Sequence, residues 1–407
     1  AAQRRRGIFY ETLMPQKREA MGRLTVSSKG LAWFRKGHPW IFRNDLEAVK
    51  EALPGAVVFL ESQKGRFLAQ GFYSDRSKIA FRLLSRNPEK IDALFWTRRI
   101  QEAHQYRQRA VSGTNAYRLI YGESDGIPSL IVDRYGDHLV VQTLSQGAES
   151  ILDMVVAALR ELFQPFSILL RNDLSVRGLE GLPQEKKVLH GEAPPRVEVF
   201  EGDIRYRVDL WGGQKTGSYL DQRENRLRAG RLLQGKVLDA FCYQGLFALH
   251  AARRSSQVVA IDSSQDALSQ ARENARLNSL DSIDFVKENV FDFLKAQTEA
   301  GERYDGIILD PPAFAKSKGD VAGAARGYGE LNQRALRLLN PGGILVTASC
   351  SYNILEETFM DIIRKSARDS GSELRIIGWE TQARDHPILL SFPESHYLKC
   401  IFLQKLT

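Results

Sequence analysis

The sequence predicts an α/β protein whose C-terminal half is a doubly wound parallel sheet, preceded by a small β-barrel and a middle α+β unit. Three observations carry this prediction. At 407 residues the chain is too long for one ordinary core. From about Ile204 onward, β-rich runs alternate with helix-length segments. The basic surplus is also uneven: residues 1–90 hold 18 basic and 8 acidic side chains, or +10, leaving 39 against 41, or −2, for the rest of a chain of net charge +8. That polarity suits a module that grips phosphates joined to one with another task, and a solvated basic face is the plain alternative.

Taken in order, residues 1–22 read as a basic leader. Arg4, Arg5 and Arg6 are not followed by the apolar region of an export signal, and Met21 is a candidate natural start. From Arg23 to Arg86 short strand-like runs predict the barrel, placed at 23–88: Arg23 to Val26, Ala56 to Glu61, Arg66 to Tyr73 and Ile79 to Leu84, parted by Lys-Gly, Pro-Gly and Ser-Asp turns. Within it Lys36, His38, Trp40 and Arg43 mix basic and aromatic groups that can hold phosphate and stack on a base. Trp40 and Phe42 alternate, which suits a barrel core equally well.

Residues 89–205 predict the middle unit: a helix over Asp92 to Arg109, strands at Arg118 to Tyr121, Ser129 to Arg134 and Leu139 to Leu144, and an amphipathic helix over Ile151 to Phe163. No chemistry is legible there. Residues 206–407 predict a seven-stranded sheet. Val237 to Ala240, Val258 to Asp262, Ile283 to Val286, Gly306 to Asp310 and Ile344 to Ala348 form its parallel part, and Asn340-Pro-Gly-Gly343 stops the preceding helix. Leu374 to Trp379 and Tyr397 to Gln404 leave no room for a crossover helix, so they form an antiparallel pair at one edge.

No stretch reaches the roughly 18 to 20 apolar residues of a membrane helix. The cysteines Cys242, Cys350 and Cys400 lie far apart and no histidines show ligand spacing, so neither a metal site nor a disulfide framework is expected. A reduced, cytoplasmic setting follows as the default.

Ligands of such sheets sit beyond the carboxyl ends of the strands. The first strand runs into Asp239-Ala-Phe-Cys-Tyr-Gln-Gly245, with one glycine where a dinucleotide needs three to bring its pyrophosphate to a helix N-terminus. Asp239, Phe241, Tyr243 and Gly245 instead suit S-adenosylmethionine, which has no pyrophosphate and carries a cationic amino group and sulfonium. Asp262, followed by Ser263, ends the second strand and is placed to accept from both ribose hydroxyls, and Asn289, after the third, can meet the adenine amino group.

Four motifs carry a more specific likeness: Gly213-Gln-Lys-Thr-Gly-Ser-Tyr-Leu-Asp-Gln-Arg223, Val237-Leu-Asp-Ala-Phe-Cys-Tyr-Gln-Gly245, Asp310-Pro-Pro-Ala-Phe314 and Ser349-Cys-Ser351. With them the chain resembles the bacterial PUA-containing 23S rRNA 5-methylcytosine methyltransferases from Met21 onward. The resemblance implies an N-terminal PUA barrel, a small α+β middle domain and a class I methyltransferase domain. It also implies that Lys215, Thr216, Asp221 and Arg223 line the cofactor and active-site mouth. Ser218, where an aromatic is usual, and Asn289, where Asp is common, depart from the pattern.

Cytosine C5 is a poor nucleophile, so its methylation requires prior addition of a nucleophile to C6, for which Cys350 is the candidate. A thiol of ordinary pKa, about 8.5, is mostly protonated near neutrality. Help is expected from a helix starting at Asn353, whose Asn-x-x-Glu356 reads as a variant capping box. Asp310, which also borders the cofactor, is expected to hold the N3/N4 edge of the base. Pro311 and Pro312 would stiffen the loop, Phe314 would stack on the base, and Lys316, Lys318 and Arg326 of the 315–328 loop would meet RNA. No second cysteine accompanies the two prolines, which leaves water or that loop to take the C5 proton. Cys242 and Cys400 read as packed thiols. The expected partner is 23S rRNA or an assembling large subunit, with a homodimer allowed. A base-nitrogen methyltransferase, for example one making 7-methylguanosine, and a non-catalytic RNA-binding assembly factor are the alternatives.

Overall fold

The computed structural model describes residues 21–315 and 318–407, so the leader lies almost wholly outside the described residues. The chain divides into two compact units. The first holds residues up to Ala110, Arg118–Pro194 and Pro387–Pro393, and the second holds Val111–Tyr117, Pro195–His386 and Glu394–Thr407. No helix among the described residues is long and apolar enough to cross a membrane.

The first unit contains two sheets. In the N-terminal one, six strands lie in the order Trp40–Phe42, Ile79–Ser85, Phe67–Tyr73, Val57–Glu61, Arg23–Val26, Leu46–Lys50. Its core gathers Leu24, Val26, Phe34, Ile41, Val58, Leu60, Ala69, Tyr73 and Phe81. The two strands beyond the four expected are short or mostly exposed, so neither has an apolar run to announce it. The second sheet has five strands, Lys186–Gly191, Ser167–Arg171, His138–Thr143, Leu130–Tyr135 and Ala116–Tyr121. The expected helices form over Ala93–Ala110 and Leu152–Phe163.

The second unit opens with a hairpin, Arg196–Glu201 and Ile204–Asp209. The boundary expected at residues 205 and 206 therefore falls inside its second strand, whereas the second unit resumes at Pro195. A seven-stranded sheet follows: β1 (Gly235–Ala240), β2 (Ser255–Asp262), β3 (Ile283–Lys287), β4 (Tyr304–Leu309), β5 (Leu339–Ser349), β6 (Leu374–Glu380) and β7 (Lys399–Lys405). Its order is β3-β2-β1-β4-β5-β7-β6. The first five strands pair in parallel, while β7 runs antiparallel to both β5 and β6. Among the described residues six α-helices complete the unit: α1 (Arg223–Leu232), α2 (Leu246–Ala252), α3 (Gln265–Leu277), α4 (Val290–Glu299), α5 (Val321–Leu338) and α6 (Glu356–Ser370).

The parallel strands are apolar almost throughout because both faces are covered: Val237, Leu238, Ala240, Ile307, Ile308 and Leu345 are fully buried. Asn340-Pro-Gly-Gly343 ends α5 as expected, yet β5 begins already at Leu339. Tyr304 pairs with Leu339 and Gly306 with Ile344, so the tetrapeptide bulges out of the ladder without ending it. The switch in strand order at β1 and β4 places the tips of those strands side by side, with the tip of β5 next to them.

Candidate active site

A cavity of about 540 Å³ opens at these tips. Its floor follows from the turn after β1. Phe241 and Tyr243 hold positive φ angles of 65° and 48°, Lys215 one of 54°, and all three line the cavity. Left-handed backbone is uncommon and costly in non-glycine residues and collects at functional sites. Asp239 reaches forward so that Oδ2 accepts the Ala248 N–H of α2 at 2.9 Å. Its Oδ1 is buried with no hydrogen-bond partner. Burial pushes the Asp239 carboxyl well up; the Ala248 N–H opposes this, and repulsion from Asp310 and Asp262 adds to it.

Asp262, at the end of β2, accepts the Tyr243 N–H at 2.9 Å through Oδ2 and the Ser264 N–H at 2.8 Å through Oδ1. These bonds fix its plane and leave one lone pair on each oxygen for a diol. Opposite lies the Gly213–Tyr219 segment. Lys215 Nζ pairs with Asp221 Oδ2 at 2.6 Å and sits 4.4 Å from the centre of the Tyr219 ring. Tyr397 Oη donates to the same Asp221 oxygen at 2.6 Å. Burial opposes ionisation of Asp221, but the charges of Lys215 and His386 and these two hydrogen bonds hold its carboxyl well below the usual range.

Asp310 and Cys350 share one wall. Asp310 Oδ1 accepts from Gln222 Nε2 at 2.9 Å, and Gln222 Oε1 accepts from Asn225 Nδ2 at 2.6 Å, so a relay from α1 orients the carboxylate. Burial first, then repulsion from Asp221, raises the Asp310 carboxyl to about 6. Cys350 Sγ lies 3.9 Å from the Pro311 carbonyl oxygen. The capping box expected beside it does not form: α6 starts at Glu356 behind Leu355, and Asn353 Nδ2 donates instead to the Ala315 carbonyl at 3.3 Å. Without a helix end next to it, the thiol is pushed up to about 11, by burial first and then by Asp310, against Lys215.

Of the residues singled out from sequence, Lys215, Asp221, Phe241, Tyr243, Asp262, Ser263, Asp310, Pro311, Pro312 and Cys350 line this cavity. Others do not. Thr216 is buried outside it, Asp239 lies below it, and Gly245 serves the turn at φ 78°. Arg223 is turned away into a buried ion pair with Asp385, at 2.8 and 3.1 Å. Asn289 is exposed, and its Oδ1 caps α4 by accepting from the N–H groups of Phe291 and Asp292. Phe314 packs into the sheet core, 4.8 Å from Tyr328 between ring centres, and Arg326 is exposed on α5. Lys316 and the Lys318 side chain lie outside the described residues. Sequence reasoning missed Tyr219, Gln222, Arg226 and Tyr397 in the lining.

In the N-terminal sheet Lys36 is exposed, but its neighbours are committed to structure. His38 is buried against Trp33, Trp40 and Phe392. Trp40 Nε1 donates to Glu123 at 2.8 Å, and Arg43 Nη2 donates to the carbonyls of Ser74 and Ser77 at 2.6 and 2.9 Å. These are packing and turn-holding roles. The open basic surface is a groove of about 660 Å³ lined by Arg35, Lys64, Arg66 and Arg86 beside Phe34 and Phe67, with no carboxylate in its lining. The Arg86 guanidinium stacks 4.2 Å over Phe34.

The residues of the strand-tip cavity fit S-adenosylmethionine. Asp310 and Asp221, which repel one another in its buried lining, the latter with Oδ1 lacking a hydrogen-bond partner, match a ligand carrying an ammonium and a sulfonium. The described residues contain no cluster of His, Cys, Asp and Glu able to hold a metal ion.

Comparison with known proteins agrees with this geometry. The profile of a PUA-like domain matches residues 24–86, and that of an S-adenosylmethionine-dependent methyltransferase matches residues 184–378. The chain is 43% identical over 372 residues to ribosomal RNA large subunit methyltransferase I of Tolumonas auensis, covering 89% of this chain and 94% of the relative. It is 41% identical over 371 residues to the protein of the same name from Escherichia coli, with the same coverage. Among solved structures, that of SMU.776 complexed with SAH superposes with a TM-score of 0.81 at 24% identity over 94% of this chain and 100% of that one.

Proposed function

The chain belongs to the S-adenosylmethionine-dependent ribosomal RNA large subunit methyltransferase I family, and from that premise we propose that it methylates C5 of a cytosine in 23S rRNA through a covalent bond between Cys350 and C6. The observation that carries this reading is the pairing of a thiol and a carboxyl on one wall of the cofactor cavity. S-adenosylmethionine, when bound, supplies the methyl group; Asp239, Asp262 and the turn Phe241 to Tyr243 would hold it.

The protein's own groups act on the base. As the Cys350 sulfur bonds to C6, the C5–C6 π electrons move toward N3, leaving C5 nucleophilic. Asp310, held by Gln222 and raised to about 6, is suited to share a proton with N3 as charge collects there. Loss of the C5 proton then lets the S–C6 electrons return to sulfur. The Pro311 and Pro312 backbone keeps carboxyl and sulfur in fixed register. RNA is held in part by the basic groove of Arg35, Lys64, Arg66 and Arg86, whose aromatic neighbours can stack on bases.

RNA containing 5-fluorocytidine tests the mechanism, because fluorine cannot leave C5 as a proton does. Incubation with S-adenosylmethionine is expected to trap an adduct that maps to Cys350 by mass spectrometry. An active enzyme that traps nothing would overturn the covalent step. The raised thiol is the one observation that favours base-nitrogen methylation, which needs no thiolate. In that case Cys350→Ala would keep its turnover.

A further inference from the structure

The turn that follows Cys350 is tied down from several sides, and what it holds outward is apolar. The Ser351 hydroxyl bonds the Tyr328 hydroxyl at 2.9 Å and accepts the Ala315 N–H at 3.3 Å. The Ser351 carbonyl accepts the Ile354 N–H at 3.2 Å and the Lys399 Nζ at 2.8 Å. Two residues on, the Asn353 amide nitrogen donates to the Ala315 carbonyl at 3.3 Å, and Ile354 is wholly buried in the sheet core. Between and beyond these anchors stand Tyr352 and Leu355, 52% and 69% exposed.

Apolar side chains exposed singly call for no explanation, but a pair at the mouth of a substrate cavity does. The other large apolar side chains exposed among the described residues of the second unit are Phe200, on the hairpin, and Ile376 and Trp379, on the edge strand β6. The two most exposed are therefore the two within five residues of Cys350, which lines the cavity. Two residues of chain span at most about 7 Å, so the Tyr352 backbone stays that close to the Cys350 backbone. A base that enters the cavity leaves its stack, and the nucleotides joined to it remain at the mouth with a face uncovered. A tyrosine on fixed backbone can cover such a face with only two side-chain torsions to order. Glu356 and Glu357 follow directly and disfavour phosphate, so this surface suits a base and not the RNA backbone. Two side chains parted by Asn353 and followed by carboxylates are also far short of the roughly 800 Å² per partner of a stable contact between copies.

We propose that Tyr352 is the stacking platform for the nucleotide next to the methylated one, with Leu355 extending its apolar face, so that the neighbour is held at the mouth while the target base sits beside Cys350. This rests on the reading that an RNA base enters the cavity to meet Cys350. A neighbour has a face free for the ring only where it is not stacked within a duplex, so the platform selects a target in an unpaired or opened stretch.

The test pairs a change in the full chain with a change in the RNA. The substrate is a fragment of 23S rRNA that the protein methylates, its target mapped with a labelled methyl group, made intact and with an abasic residue on one side or the other of that target. Tyr352→Ala is expected to lower kcat/KM about tenfold on the intact fragment, the scale of one base–aromatic stack. On one of the two abasic fragments it is expected to add no further loss, because the stack is already gone. Tyr352→Phe, which keeps the ring, is expected to keep the parent's kcat/KM. Binding of S-adenosylhomocysteine, read by calorimetry, checks that each variant is folded, and Tyr352→Gln carries the same readout should Tyr352→Ala fail that check. A folded variant that keeps its kcat/KM, or loses the same factor on the intact and both abasic fragments, would overturn the proposal. If the second result came with a lower sedimentation coefficient, the patch would be a contact between copies of the chain. A 5-fluorocytidine adduct at Cys350 in the parent reports base entry independently of Tyr352. With that adduct present, those results remove the stack alone; its absence removes the reading beneath and the stack with it.

Discussion

In the proposed mechanism the Asp310 carboxyl trades stability for chemistry. Its folded value of about 6 lies above the ordinary 3.8, chiefly through burial. Between those values the folded chain binds more protons than the unfolded one, so stability falls as pH rises through that window. The penalty is absent below about pH 4 and complete above about pH 6. Asp310→Asn, without cofactor, is therefore expected to stabilise the protein at pH 7.5 by about 1–3 kcal/mol in urea unfolding. That gain should vanish by pH 4, while methyl transfer is lost at both values. A variant no more stable than the parent at pH 7.5 would mean that Asp310 is better solvated than its surroundings imply. The group's position was legible in the sequence, because carboxylates at the ends of parallel strands face the ligand. Its partners were not: Gln222 lies 88 residues from Asp310, and Tyr397 lies 176 from Asp221. Only the fold brings such pairs together.

At the scale of elements, Asn289 separates two roles that one residue type can play. Following β3, it suited contact with adenine, yet its Oδ1 accepts from two N–H groups of α4 and it faces solvent away from the cavity. Asn289→Ala is expected to cost about 1 kcal/mol of stability, as a lost N-cap does. Its affinity for S-adenosylhomocysteine should stay within about twofold by calorimetry, and a tenfold loss would restore the adenine role. The signal was present in the sequence, since Asn followed by Asp292 is a helix start. The same kind of local evidence misled at Asn353, where the helix starts only at Glu356 behind Leu355 and the Asn353 amide nitrogen donates to the Ala315 carbonyl. The strand ladder was legible for the opposite reason: strands buried on both faces must be apolar throughout, and that run survives any tertiary arrangement. Trp40–Phe42, only three residues long, and Leu46–Lys50, largely exposed, have no such run.

For the whole molecule, the uneven charge finds its physical form in the groove of Arg35, Lys64, Arg66 and Arg86. Of the basic groups first suggested by sequence there, Arg43 ties down the Ser74 to Ser77 turn and His38 is packed among aromatics, while Lys36 stays exposed. Binding of a polyanion through the groove releases counterions, so the slope of log affinity against log salt counts the phosphate contacts, at about 0.7 per contact on a single strand. Removing two of them with Arg35→Gln and Arg66→Gln is expected to reduce that slope by about 1.4 on a single-stranded fragment of 23S rRNA. Both side chains are exposed, so thermal stability and S-adenosylhomocysteine affinity should stay as they were. Arg43→Gln is the internal contrast: it breaks the carbonyl ties and lowers stability, with the slope kept. If the double substitution left the slope intact while Arg43→Gln reduced it, the RNA would be held at the face the sequence first suggested, and the aromatic packing around His38 would have to open to admit it.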